Sequence, residues 1–166
     1  MRVPIRKPGK YSNLQPDFHI TEQKYNELQL DLKKLLEIKR PRAITEVKRL
    51  ALDGDFSENA AYQIAKGRLR GINRAILDIE NRIKKAIIIK HRPDNNQVGI
   101  GNQVIVEVNG KEKKYLILGS SETDPANGII SHNSPIGSAL LGKKNGAEIK
   151  IILNNKEIIY KIKKIF

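Results

Sequence analysis

The chain contains no cysteine and no tryptophan, and its aromatic residues are limited to five tyrosines and three phenylalanines in 166 residues. Without cysteine there is no disulfide framework, no thiol nucleophile and no cysteine-type zinc site. The three histidines, His19, His91 and His132, are scattered without ligand spacing. Long apolar runs are missing too. No segment approaches the roughly 20 apolar residues that span a bilayer. Near the start, Pro4, Pro8 and Gly9 interrupt any signal-peptide core behind Arg2, Arg6, Lys7 and Lys10. The expectation is a soluble, cytoplasmic protein with no membrane partner.

Positive charge, by contrast, is abundant: 31 Lys and Arg stand against 18 Asp and Glu, a net of +13. Such an excess favours anionic partners, nucleic acid or a nucleic-acid machine. It is unevenly placed, with 21 basic and 11 acidic residues before position 93 and 10 and 7 after it. The first half therefore carries most of the electrostatics.

Residues 1–19 are rich in proline, glycine and basic side chains and lack periodicity, which reads as a poorly ordered extension. From Thr21, a candidate N-cap, apolar residues recur in steps of three and four through Tyr25, Leu28, Leu32, Leu35 and Leu36, then Ala43, Ile44, Val47, Leu50 and Ala51. Pro41 removes one helical hydrogen bond, so a bend is expected near Arg40. A second stripe follows at Ala61, Ala65, Leu69, Ile72, Ile76, Ile79, Ile83 and Ala86, spaced like a coiled-coil seam. Two such helices joined by a short turn lie antiparallel, making an arm of about 45 Å over residues 20–90.

Beyond a linker at 91–101 the period changes to two. Val104, Val106 and Val108 alternate with polar residues, Asn109-Gly110 is a strong hairpin signal, and Tyr115 to Leu118 forms the returning strand. Ile129 and Ile130 suggest another short strand. Ser134-Pro135 reads as the cap and first turn of a short helix stopped by Gly142. Ala147 to Leu153 and Glu157 to Ile165 flank an Asn154-Asn155 turn. The whole is α+β: an antiparallel coiled-coil hairpin followed by a small, mostly antiparallel sheet with one helix at 102–166.

Between the two arm helices lies Gly54-Asp55-Phe56-Ser57-Glu58-Asn59. Asp53-Gly54-Asp55 is good turn chemistry, and Ser57 to Asn59 can do no more than cap the next helix. The other reading takes Asp55 and Glu58 as a pair of hard oxygen ligands at the apex of a rod. One or two carboxylates are often all that a protein gives to Mg²⁺, the remaining positions going to water and phosphate. Such a pair binds the ion weakly alone and has to share it with a second site, into which a long arm could deliver it.

The run from Gly54 to Arg74, GDFSENAAYQIAKGRLRGINR, resembles the tip and second helix of the bacterial Gre transcript-cleavage factors. Arg40-Pro41 and the run from Ser131 to Ile149, SHNSPIGSALLGKKNGAEI, resemble two further family motifs. The resemblance implies a coiled coil followed by an FKBP-like domain, which docks at the rim of the RNA polymerase secondary channel while the arm enters it. It further implies that Asp55 and Glu58 act in trans, helping to hold the second Mg²⁺ of the polymerase and positioning the attacking water, so that backtracked RNA is cut near its 3′ end. Asn59 and Tyr62 would position the tip. Lys66, Arg68, Arg70 and Arg74 resemble the more basic, GreB-like branch and would contact the nascent RNA. Asn133, Ser134 and Pro135 match the loop used against the polymerase. On this reading the protein is a monomeric cofactor of polymerase and not itself an enzyme.

Each assignment has a plainer counterpart. Tyr62 also fits as packing just inside the hairpin, the basic residues as a solvated helix face, and Ser134 as a cap. Ala61 departs from the family pattern, which often has a further acid there. Other functions also remain open. The protein could be a channel-binding regulator without cleavage activity, or a free RNA-binding protein driven by charge. Prolyl isomerisation in the second half is a third, poorly served by Tyr115, Tyr160 and Phe166 as the only rings there.

Overall fold

The computed structural model describes residues 17–52, 59–90, 96–153 and 156–166. Thr21 starts the first helix as its spacing suggests. Its backbone is extended, and its hydroxyl oxygen accepts the Lys24 N–H at 3.1 Å. Helix α1 (Glu22–Lys34) runs through a π-helical turn, Leu35–Lys39, into α2 (Arg40–Ala51). The π turn answers Pro41. Hydrogen bonding widens ahead of the proline, and the Arg40 N–H donates to Leu35 O. A π turn holds more residues than an α turn. The eight-residue step from Leu35 to Ala43 therefore still returns the apolar stripe to one face.

Helix α3 (Ala60–Lys85) packs against α1 and α2. Its antiparallel sense shows in the facing residues. Glu46 meets Arg68, Lys39 and Arg42 flank Ile72, and Lys24 and Leu28 share a cleft with Arg82. The buried seam consists of Leu28, Ala43, Leu50, Ala65 and Ile76, with Leu69, Ile72, Ile79 and Ile83 half-buried. Ala61, assigned to the seam by its spacing, is exposed.

At the base, β1 (His19–Ile20) pairs in parallel with β2 (Ile87–Ile88), which follows α3. Asp17, Phe18 and His19, read from sequence as part of the extension, are thus built into the fold. Partners that lie far along the chain hold them, and local composition carries no sign of this.

The second half is a five-stranded sheet of β3 (Gln103–Val108), β4 (Lys111–Leu118), β5 (Ile129–Ser131), β6 (Glu148–Leu153) and β7 (Lys156–Ile165), in the order β5-β4-β3-β7-β6. All pairings are antiparallel except β4 with β5. Asn109 and Gly110 both take positive φ, 51° and 73°, and close the two-residue turn that sets Val108 opposite Lys111. Helix α4 (Pro135–Leu140) covers the sheet, with Leu140 fully buried among Val104, Val106, Ile117, Ile151 and Ile162.

Ile117→Ala should cost about 2–5 kcal/mol in denaturant unfolding, because it empties a fully buried position. Ile152→Ala, at a side chain 75% exposed, should change stability by about 0.5 kcal/mol or less.

Candidate functional site

Asp55 and Glu58 lie outside the described residues, but the structure shows what they are attached to. Asn59 caps α3, its side-chain oxygen accepting the Tyr62 N–H at 3.0 Å while its carbonyl accepts the Gln63 N–H at 3.1 Å. The chain thus passes directly from the acidic segment into a 26-residue helix. Tyr62 is half-buried, and the Lys66 ammonium stands 5.8 Å from the centre of its ring, an i, i+4 cation–π contact. Ala61 faces solvent beside it.

The four basic residues singled out in the first half of α3 do not form one patch. Lys66, Arg70 and Arg74 recur every fourth residue and share an exposed face. Arg68 lies on another side, where its guanidinium donates to Glu46 at 3.0 Å and ties α3 to α2. Spacing along the sequence could have separated them, since a step of two turns a helical side chain to a different face.

In the β5–α4 loop, Ser134 is a cap in both directions. Its hydroxyl donates to Ser131 O at 2.6 Å and accepts the Gly137 N–H at 3.0 Å. Asn133 is anchored through its backbone N–H to the Ser131 hydroxyl at 3.0 Å, leaving its exposed side chain without a partner among the described residues. Pro135, also exposed, occupies the first turn of α4. The fold brings this loop beside the base of the arm and away from the residues following the tip.

That base is a polar cluster the sequence did not announce. From the sheet domain, Glu122 receives the Thr21 N–H at 2.7 Å and the Thr21 hydroxyl at 2.5 Å, so a carboxylate sits on the first turn of α1. In the other direction, Asp17 accepts the Ser120 N–H at 2.6 Å and the His19 N–H at 3.1 Å. His19 Nδ1 is 2.9 Å and His132 Nδ1 3.5 Å from the same carboxylate. Two histidines that looked unrelated along the chain therefore meet, their ring centres 5.1 Å apart. Gly119 makes the approach possible, since a Cβ there would lie on His19 O.

Burial by itself raises the pKa of Asp17. The Ser120 N–H and the two His19 contacts outweigh it, bringing the pKa from 3.8 down to about 2. A folded pKa below the unfolded one means stability that is present above about pH 4 and lost as pH falls towards 2. Asp17→Asn should remove on the order of 2 kcal/mol at neutral pH. It should also flatten the stability profile between pH 4 and 2 in denaturant titrations.

The described residues form a helical hairpin that carries an exposed basic face on α3 and is clamped at its base to a sheet domain. Two family models match the chain: transcription elongation factor, N-terminal, over residues 18–88, and transcription elongation factor, GreA/GreB, C-term, over residues 93–166. Transcription elongation factor GreA of Staphylococcus carnosus is 38% identical, the match covering 85% of this chain and 96% of that protein. GreA of Macrococcus caseolyticus is 37% identical, over 86% and 91%. The chain belongs to the GreA/GreB family of transcription elongation factors.

Two solved structures are looser matches and add nothing to that assignment. GreA factor homolog 1 (Gfh1) of Thermus thermophilus is 21% identical over 89% of this chain and 97% of its own, with a TM-score of 0.40. The GreA/GreB factor of Nitrosomonas europaea is 19% identical over 89% and 97%, with a TM-score of 0.39. No helix among the described residues is long and apolar enough to cross a membrane.

Proposed function

We propose that this elongation factor inserts its arm into the secondary channel of bacterial RNA polymerase and stimulates the polymerase to cleave backtracked nascent RNA. The observation that carries this reading is that the acidic segment leads directly into α3 at Asn59, which caps that helix, in an arm whose base is fastened to a separate domain. The donor chemistry of Asp55 and Glu58, two carboxylates, suits Mg²⁺ shared with the polymerase, and the ion supplies two-metal stabilisation of the attacking and leaving oxygens.

Within this mechanism the chain is a cofactor of polymerase and not an enzyme. Asp55 and Glu58 would help to hold the shared Mg²⁺ as oxygen ligands and would orient the attacking water. Asn59 and Tyr62, joined through the Asn59 cap, hold the first turn of α3 and so position the tip. Lys66, Arg70 and Arg74 attract the phosphates of the RNA 3′ segment without reading its sequence. Arg68 serves the arm itself through Glu46. Asn133, with its free side chain, and Pro135 are the residues offered to the polymerase rim, while Ser134 shapes the loop that presents them.

Asp55→Asn combined with Glu58→Gln should preserve polymerase binding and abolish stimulated RNA shortening in stalled, backtracked complexes, since neutral amides are poorer Mg²⁺ ligands. Undiminished cleavage by the double variant contradicts the tip mechanism. Channel binding by the wild type with no shortened RNA would instead identify a regulator that occupies the channel without promoting cleavage.

The split of the basic residues gives a second test. Replacing Lys66, Arg70 and Arg74 by Ala should weaken cleavage of deeply backtracked complexes more than of those backtracked by about two nucleotides, and lessen its salt dependence. Arg68→Ala should leave that salt dependence in place and cost about 1 kcal/mol or less in stability, as expected for an exposed ion pair.

A further inference from the structure

We infer that Asp17, His19 and His132 form a binding site for a divalent transition ion of the zinc type, at the junction of arm and domain and separate from the tip carboxylates. Each residue offers one ligand atom, and the three lie within 4.8 Å of one another. Two imidazole nitrogens and a carboxylate oxygen are a set that zinc takes in tetrahedral sites, with water as the fourth ligand. Magnesium, which prefers oxygen alone, fits the set poorly.

The surroundings are those of a built site. The Asp17 side chain is only 4% exposed, His132 12% and His19 33%, so the donors are sheltered with one edge open. Asp17 lines a cavity of about 320 Å³ with Lys24, Leu28 and Arg82, and His19 lines another of about 420 Å³ with Ile87 and Asn102. Among the described residues no lysine or arginine pairs with Asp17, and its ionic partners are the two imidazoles alone. The backbone N–H groups of Ser120 and His19 hold the carboxylate in place.

The Leu118 carbonyl also lies 3.3 Å from His132 Nδ1, so an ion bound through that nitrogen would displace this contact together with the one to Asp17. The ion would take over the place of the Asp17–imidazole contacts, coordinating each ring through a nitrogen freed of its proton.

Because Asp17 and His19 lead into α1 and His132 directly precedes Asn133, a bound ion would fasten the arm to the loop that follows β5. This inference stands independently of the polymerase reading. Zinc added to the metal-free, full-length protein should bind with one-to-one stoichiometry by calorimetry. It should shift the imidazole nitrogen resonances of His19 and His132 together, leave those of His91 in place, and raise the Tm. Asp17→Asn and His132→Gln should each weaken binding about tenfold or more, with His91→Gln unchanged. The resonance measurement needs only the wild-type protein, so it stands even where a variant disturbs the junction. Absence of saturable zinc binding, or binding that moves His91 and spares His19 and His132, overturns the site.

Discussion

The arm can be aimed only if its base is held, and the hold is an exchange of carboxylates across the junction. Asp17, two residues ahead of the strand leading into the arm, takes the backbone N–H of Ser120 in the domain; Glu122, in the domain, takes the backbone N–H and hydroxyl of Thr21 at the start of α1. The need for it follows from the thinness of the seam. Among the described residues of the arm helices, burial is limited to Leu28, Ala43, Leu50, Ala65 and Ile76, a thin seam for a rod of this length. The domain, with its own closed core, supplies the missing rigidity, and the strand pair at His19 and Ile87 bridges the two ends of the arm.

Electrostatics along the arm follows the same division of labour. Most of the excess positive charge belongs to the first half of the chain, yet it does not act as one surface. Lys66, Arg70 and Arg74 stay exposed on one face of α3, where a polyanion could meet them, while Arg68 is spent on Glu46 and on keeping the helices together. In the sequence the acidic pair Asp55 and Glu58 comes directly ahead of this basic face, and the proposed function assigns the two opposite tasks, ligands for a cation and attraction for phosphate.

How much of this the sequence disclosed depends on the range of the interactions. The stripes through Leu28 and Ile76, the Asn109-Gly110 turn and the caps at Thr21, Asn59 and Ser134 are local, set by residues a few positions apart, and were legible. The π turn before Pro41 was legible as a disturbance but not in form, because a proline says that a hydrogen bond is lost and not how the helix accommodates it. Ala61 was assigned to the seam by spacing and is exposed, while Arg68, grouped with the other basic residues by motif, pairs with Glu46 of α2, a partner that only the fold reveals. The junction was invisible. Glu122 and Thr21 are 101 residues apart, and His19 and His132 meet only because β1 and the β5–α4 loop are folded together. The tip motif itself was recognisable as a run of residues, of which Asp55 and Glu58 lie outside the described residues.

The absence of cysteine offers the most direct measurement of the central claim, that the arm brings its apex to the polymerase active site. A photoreactive group attached through Ser57→Cys should crosslink to the 3′-terminal segment of the nascent RNA in a backtracked complex, whereas the same group on Lys111→Cys, in the β3–β4 turn of the domain, should not. RNA crosslinking of equal strength from both positions, or from the domain position alone, would contradict the account.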